Sequence, residues 1–155
     1  MAEEKSNAES YLDELYQELS GLLGEAVWAF SRIEWLTYEF VGHLTDEGVA
    51  QLLDGVSFRS RTSMLKKLVN RGEWDRSVKD EAVAALKVVN KLSEDRNVFV
   101  HNPWKVYVDF DKREFEGELR KYTDERKAVR KEELRQFIES CKEAQERLEN
   151  AFKAL

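Results

Sequence analysis

The chain contains a single proline, Pro103, and the spacing of its apolar residues changes there. Before it, apolar residues recur at steps of three and four, which is typical of amphipathic helices. After it, Trp104, Val106, Val108 and Phe110 alternate with polar residues, which is the pattern of a half-buried strand. We therefore expect a mainly α fold: an antiparallel bundle of four to five helices with a small β-hairpin inserted before the last helix.

Glycines, capping residues and the proline set the predicted boundaries. The expected helices span about 22–44, 46–53, 57–71, 80–101 and 132–152, and the expected strands span 104–110 and 114–122, joined by a turn at 111–113. Residues 1–20 form an acidic N-terminal extension with six acidic residues and one lysine. Residues 21–155 form a single domain, because no repeat, linker or low-complexity tract divides them.

The first long helix is apolar around most of its circumference. One stripe contains Leu23, Ala26, Val27, Phe30, Ile33, Thr37, Phe40, Val41 and Leu44. Trp28, Trp35, Leu36 and Tyr38 lie off that stripe. Two interpretations follow: a central helix that packs on both faces within the bundle, or a helix with one face in the core and the other in a dimer interface.

Composition excludes several classes of function. The 155 residues carry a net charge of -6, so any contact with nucleic acid must be local. No apolar run is long enough to span a membrane, and the N-terminus is acidic, so we expect a cytoplasmic protein without membrane contact. One cysteine and two histidines provide no ligand cluster, so we expect no metal and no cofactor. Phosphate-binding glycine loops and the common hydrolase motifs are absent.

Among the isolated candidates, Cys141 and His43 favour structural roles. Cys141 lies on the apolar stripe of the last helix, where a small core residue is expected. His43 lies near the end of the first long helix, where histidines commonly cap carbonyl groups.

The end of the fourth helix has a different character. The apolar spacing brings Arg96 onto the buried stripe, where a guanidinium is costly unless an anion meets it. Asn97 and His101 are four residues apart and therefore share a helix face beside that stripe. The structural interpretation is an ion pair between Arg96 and Glu34 of the first long helix, with His101 as a capping residue.

The run from Arg96 to His101 resembles the R-x4-6-H motif of the HEPN superfamily, a family of helical nucleotide-binding proteins. The motif in that family closes a long bundle helix, and a polar residue often follows the arginine, as Asn97 does here. The architectural similarity covers roughly residues 20–155, and the specific motif covers six residues. One departure is Pro103, which stands where toxins modified by nucleotidyltransferase antitoxins carry a tyrosine.

The resemblance implies a metal-independent ribonuclease that acts as a homodimer on an RNA substrate, often as a toxin with an antitoxin or in other defence systems. It implies that His101 transfers the proton, Arg96 stabilises the phosphorane and Asn97 orients the phosphate or the histidine. Some members of the family are non-catalytic binding modules, so the alternatives are a silent helical interaction or nucleotide-binding module and a regulatory, antitoxin-like partner.

The chemistry independently favours a dimer. Attack of a ribose 2′-oxygen on the adjacent phosphate needs a base, an acid and cations. One chain supplies one suitable histidine, whereas a two-fold dimer supplies two histidines and two arginines. Imidazole suits both proton-transfer roles because both of its forms are populated near neutral pH. Lys105 and Tyr107, on the polar face of the first strand, are expected to hold flanking phosphate and stack a base. The alternative for both is an ordinary solvated strand face.

Overall fold

The computed structural model describes the backbone of residues 2–109, 114–121 and 124–155, and the side chains of residues 10–46, 48–105, 117–119 and 129–155. Within these ranges the helices are α1 (Ala2–Leu44), α2 (Glu47–Gln51), α3 (Phe58–Arg71), α4 (Arg76–Val100) and α5 (Lys131–Lys153). The strands are β1 (Trp104–Asp109), β2 (Glu114–Lys121) and β3 (Asp124–Arg130). The predicted fold class is confirmed: a mainly helical bundle carries a small antiparallel sheet just before its last helix.

Helix α1 begins about 20 residues earlier than the sequence pattern predicted. Its apolar stripe continues back through Leu19 and Leu15, which are 0% and 4% exposed. Leu19 packs on Gly117 of β2, where an added Cβ would collide with the leucine side chain. In the sequence, the acidic residues on the solvent side of this stretch made the spacing of its few apolar residues hard to recognise. The acidic segment is therefore the first part of a 43-residue helix, about 65 Å long.

Short polar side chains fix where the other helices start. The carboxylate of Asp46 accepts a hydrogen bond from the Gly48 amide (2.7 Å), and the Ser57 hydroxyl accepts one from the Ser60 amide (3.2 Å). At the start of α5, the Arg130 amide donates to the Glu133 carboxylate (2.7 Å). These bonds satisfy amide groups that have no partner within the first helical turn.

Aromatic rings connect the helices through the core. The Phe30 ring of α1 lies 5.1 Å from that of Phe58 in α3 and 6.5 Å from that of Phe137 in α5, centroid to centroid. Phe99 of α4 meets Phe137 edge-on at 4.7 Å. The predicted apolar stripe of α4 is buried, at Ala82, Leu86, Val89, Leu92 and Phe99. So is that of α5, at Leu134, Phe137, Ile138, Cys141, Leu148 and Phe152.

The sheet contains the predicted hairpin and one further strand. In the β1–β2 pair, Trp104 lies opposite Leu119 and Val106 opposite Gly117. Strand β3 then pairs antiparallel with β2 on its other side. The predicted turn at 111–113 and residues Phe110 and Tyr122 lie outside the described residues.

The outer face of α1 carries two tryptophans that the bundle does not cover. Trp28 is 71% exposed and Trp35 is 66% exposed. Val27, predicted for the buried stripe, is 39% exposed, because it lies at the margin of the stripe. The first interpretation of α1, packing on both faces within the bundle, does not hold for this outer face. No helix in the described ranges is long and apolar enough to cross a membrane.

Candidate functional site

The candidate site lies where the last turns of α4 meet the C-terminal half of α1, at Arg96 and Glu34. Helix α4 stops at Val100, and His101 occupies the C-cap position with φ -103° and ψ 3°. The Asn102 side chain donates to the carbonyl of Val98, one turn back, and so satisfies a helix-end acceptor. Pro103 follows and directs the chain into β1. The residue whose side chain caps the helix is therefore Asn102 rather than His101.

Arg96 and Glu34 form the expected ion pair. The Arg96 Nη2 donates to Glu34 Oε1 at 2.8 Å. The arginine side chain is 22% exposed and the glutamate side chain 31%, so water reaches both groups. The guanidinium carbon lies 5.1 Å from the centroid of the Phe30 ring, in range of a cation–π interaction. Arg96 and Glu34 are thus paired as the structural interpretation expected. The pair is partly exposed, however, and lies at the margin of the core rather than inside it.

Asn97 follows Arg96 directly in the sequence, and His101 lies five residues after Arg96, at the C-cap of α4. Both residues are exposed, and they follow the helical spacing that places them on one face. Within the part of the chain that the structure describes, neither side chain makes a hydrogen bond or an ion pair. An exposed amide and an exposed imidazole therefore lie within about one and a half helical turns of a partly exposed guanidinium along α4.

Lys105 and Tyr107 are both in β1, which leads away from the end of α4. Lys105 is exposed and engaged in an interaction. Tyr107 follows two residues after Lys105 in the same strand. The side chain of Tyr107 lies outside the described residues.

Arg61 of α3 is a second arginine near Glu34, and the sequence interpretation missed it. It is only 2% exposed. Its Nε donates to the Thr37 hydroxyl (2.7 Å), and its Nη1 donates to the carbonyl of Val56 (2.9 Å). The guanidinium carbon stacks 3.7 Å from the centroid of the Tyr38 ring.

The Arg61 contacts reach the candidate site through one threonine. The Thr37 hydroxyl accepts from Arg61 and donates to the backbone carbonyl of Glu34 at 2.6 Å. Burial lowers the pKa of Arg61 from its ordinary value, and the nearby Tyr38 hydroxyl and Glu34 carboxylate oppose this shift. A signal was present in the sequence, since Arg61 lies three residues after Phe58 and four before Leu65, on the apolar stripe.

The remaining candidates are structural or absent. Cys141 is buried, and burial raises the pKa of its thiol to about 12, which leaves no thiolate for nucleophilic attack at neutral pH. Among the residues that the structure describes, no three histidine, cysteine, aspartate or glutamate side chains are grouped so that they could hold a metal ion.

The fold and this cluster define a helical-bundle protein with a solvent-facing arginine, asparagine and histidine at the end of one bundle helix. Comparison with known proteins finds no matching family model, no similar curated protein and no similar solved structure. The resemblance to the HEPN superfamily therefore rests on the sequence motif and stays a prediction.

Proposed function

We propose that the protein is a metal-independent endoribonuclease that acts as a homodimer, with Arg96, Asn97 and His101 as its catalytic residues. The observation that most supports this proposal is that an exposed asparagine and an exposed histidine lie at the end of the same helix as an arginine that Glu34 holds in place. A catalytic guanidinium benefits from such a support, because a fixed side chain needs little reorganisation when charge develops on the substrate.

Glu34 leaves most of the guanidinium available to a phosphate. An arginine has five N–H donors, and the bond from Nη2 to Glu34 uses one of them. The 22% exposure of the side chain gives a ligand access to the others. Glu34 would therefore act as a positioning residue, while Arg96 would stabilise the negative charge on the phosphorane.

Proton transfer requires two imidazoles, one from each copy. One His101 would take the proton from the ribose 2′-hydroxyl as that oxygen attacks the adjacent phosphorus. The second His101 would give a proton to the departing 5′-oxygen, and two Arg96 side chains would neutralise the phosphorane. Asn97 would orient the phosphate or the imidazole. Lys105 and Tyr107 would hold flanking RNA by charge and by base stacking.

The family resemblance places such an enzyme among toxins and other defence effectors, for which an antitoxin or a regulatory protein would be the partner. Pro103 argues against an antitoxin that modifies a tyrosine at that position.

The ion pair between Arg96 and Glu34 favours a second candidate function. It satisfies the guanidinium within the chain, as a purely structural arginine requires. On this alternative, the protein is a non-catalytic helical interaction or nucleotide-binding module, and His101 is simply the residue at which α4 ends.

Incubation of the purified protein with tRNA and mRNA separates the two candidates. The His101→Ala variant is expected to lose about 10²- to 10⁴-fold in cleavage rate. The matched control is His43→Ala, which removes the other histidine and is expected to leave the rate unchanged. RNA ends should be 2′,3′-cyclic phosphate and 5′-hydroxyl, DNA should stay intact, and EDTA should leave the rate unchanged.

Three results would contradict the mechanism. Cleavage that EDTA abolishes would indicate a metal-dependent enzyme. Cleavage of an RNA that carries a 2′-O-methyl group at the scissile position would exclude attack by the 2′-oxygen. Equal rates for the wild type and His101→Ala would favour the non-catalytic module.

A further inference from the structure

Helix α3 carries five basic residues and no acidic residue. One of the five, Arg61, is buried. The other four are exposed or half-exposed: Arg59, Lys66, Lys67 and Arg71. No carboxylate interrupts the sequence from residue 55 to residue 72. Helix α3 is therefore a local concentration of positive charge in a chain whose net charge is -6.

The four cations lack the ion pairs that neutralise the basic residues of α5. Every basic residue of α5 lies within 4.0 Å of a carboxylate: Lys131, Arg135, Lys142, Arg147 and Lys153. Among the residues whose side chains the structure describes, no aspartate or glutamate pairs with any of the four cations of α3. The charge of α3 is therefore available to an anion from outside the chain.

The four cations share the solvent side of α3. At about 100° of rotation per residue, they fall within an arc of about 140° around the helix axis. Ser63 and Asn70, both exposed, lie inside the same arc. We call the surface of these six residues the basic face: Arg59, Ser63, Lys66, Lys67, Asn70 and Arg71. The basic face extends about 18 Å along the helix.

The composition of the basic face fits phosphate groups better than a membrane or another protein. The apolar side of α3 is turned into the bundle, where Phe58, Leu65 and Val69 are 8%, 0% and 0% exposed. A helix that lies on a membrane needs its apolar side free to insert. Protein interfaces are organised around aromatic residues and are depleted in lysine. Lysine, arginine, serine and asparagine side chains, by contrast, are the usual partners of backbone phosphates in nucleic acids.

One end of the basic face lies near the candidate site. The centroid of the Phe30 ring in α1 lies 5.1 Å from that of the Phe58 ring and 5.1 Å from the guanidinium carbon of Arg96. Phe58 is the first residue of α3 and directly precedes Arg59, the first residue of the basic face. The start of α3 and Arg96 of α4 therefore contact the same side chain.

From this end, the basic face leads away along the bundle. Helices α3 and α4 are antiparallel, because the Thr62 hydroxyl donates to Asn90 Oδ1 (2.9 Å) and the Lys79 ammonium donates to the Asn70 carbonyl (3.3 Å). Arg71 therefore lies beside the start of α4, at the end opposite to the candidate site. One strand of a nucleic acid duplex carries a phosphate about every 3.4 Å of axis, so about 18 Å matches roughly five phosphates.

We propose that the basic face of α3 binds the phosphate backbone of an RNA strand, by charge and without reading the base sequence. It is a second RNA contact, on a different element from Lys105 and Tyr107 of β1. For its biological ligand the proposal rests on the proposed function, because a strand that runs along α3 leads toward Arg96. Phosphate binding itself does not require that the RNA is cleaved.

Fluorescence anisotropy with a labelled single-stranded RNA of 20 nucleotides tests the binding. The RNA carries 2′-O-methyl groups throughout, so the wild-type chain binds it without the proposed cleavage. For four phosphate contacts, the logarithm of the association constant should fall with the logarithm of the salt concentration with a slope of about -3. A DNA strand of the same sequence and an RNA of a second sequence should bind within about threefold, because their phosphates are the same.

A double variant, Lys66→Gln with Lys67→Gln, removes two cations of the basic face. In about 50 mM salt it should weaken binding roughly 50-fold and reduce the salt slope by about 1.4, because each phosphate contact on a single strand contributes about 0.7. The matched control is Lys142→Gln with Lys153→Gln, which removes the same charge from α5, where both lysines have carboxylate partners. The control should change the affinity less than about threefold, and circular dichroism checks that both variants retain their helices.

Three results would overturn this proposal. Unchanged binding in the α3 variant would place the RNA on another surface. Equal losses in the α3 variant and the α5 control would assign the binding to the general field of the protein. Polyglutamate of 20 residues that binds as tightly as the RNA would indicate an acidic protein as the partner.

Cleavage of unmodified RNA separates this proposal from the proposed function. Binding that the α3 variant weakens, with no cleavage by the wild type, would support the basic face and count against the ribonuclease. Cleavage with the same KM in the wild type and the α3 variant would support the ribonuclease and count against the basic face. If both proposals hold, the α3 variant should raise KM and leave kcat unchanged, because a contact with a remote phosphate is the same in the ground and transition states.

Discussion

Two arginines approach the same turn of α1, one from inside the bundle and one from its margin. Arg61 is 2% exposed and donates its hydrogen bonds to a hydroxyl and a backbone carbonyl. Arg96 is 22% exposed in its side chain and pairs with a carboxylate. The buried cation thus meets uncharged acceptors, and the accessible one meets a charge. This difference indicates that Arg61 has a structural role, whereas Arg96 keeps donors available for a ligand.

The largest effect is expected at the interior arginine. Arg61→Ala should lower the free energy of unfolding by about 3 kcal/mol, because it leaves a cavity and removes the donor to the Val56 carbonyl. Urea denaturation followed by circular dichroism measures the change. Arg59→Ala, at an exposed position of the same helix, is the control and should stay within about 0.5 kcal/mol of the wild type. A loss below 1 kcal/mol for Arg61→Ala would remove the contrast between the two arginines.

A smaller loss of stability is expected at the marginal arginine. Arg96→Ala should lower the free energy of unfolding by about 1–2 kcal/mol, between the values typical of exposed and buried ion pairs. The same change should abolish RNA cleavage. Arg76→Ala is a matched control in the same helix, since Arg76 pairs with Asp80 while 94% exposed and should contribute almost nothing. A loss above 3 kcal/mol would indicate that Arg96 has a structural role like that of Arg61, and it would favour the non-catalytic module.

A double-mutant cycle sharpens the assignment of Glu34 to one of the two arginines. Glu34→Gln and Arg96→Ala should show a coupling energy of about 1 kcal/mol, because the two side chains are in direct contact. Glu34→Gln and Arg61→Ala should show a coupling energy of less than about 0.5 kcal/mol. Arg61 does not contact the Glu34 side chain: it donates to the Thr37 hydroxyl, which in turn donates to the backbone carbonyl of Glu34. Equal couplings would mean that Glu34 serves both arginines.

The smallest expected effect is the contribution of Glu18 to stability and its dependence on pH. The pKa of Glu18 is lowered, chiefly by its hydrogen bond from Lys131, with Arg135 contributing. A carboxylate with a lowered pKa stabilises the fold above its unfolded-state value and loses that contribution as the pH falls through its folded-state value. Glu18→Gln should therefore cost at most about 0.5 kcal/mol at pH 7, given its exposure, and progressively less as the pH falls below the ordinary range of a glutamate. The Arg61 contacts involve no carboxylate, so the effect of Arg61→Ala should survive across this range. Thermal unfolding at several pH values measures both.

Much of the fold and part of the site followed from the sequence. The apolar stripes of α4 and α5 and the hairpin after Pro103 were predicted because periodicity directly reports which residues are buried. Strand β3 was not, because its sequence DERKAVR carries no alternation and the strand depends on pairing with β2. The Arg96–Glu34 pair was weighed as one of two interpretations, since a charged residue on each stripe needs a partner.

The misplaced residues share a cause. Arg61 was not identified as a buried residue, although its spacing put it on the stripe between Phe58 and Leu65. Trp28 and Trp35 were weighed for burial on their hydrophobicity, although only a neighbouring element or a second chain decides whether an apolar face is covered. Residue type predicts what an environment would favour, and topology decides which environment is there.

The pairing of α1 with α5 sets an order of events during synthesis. The contacts that cover α1 come largely from the far end of the chain: Glu18 binds Lys131 and Arg135, and the Phe40 ring stacks on Phe152 at 4.1 Å. The Glu18–Lys131 pair joins residues 113 positions apart. A ribosome therefore releases α1 long before the helix that covers its apolar stripe has been made. We expect the nascent chain to expose this stripe until α5 emerges, which makes it a binding site for chaperones and makes folding slower than helix content alone would suggest.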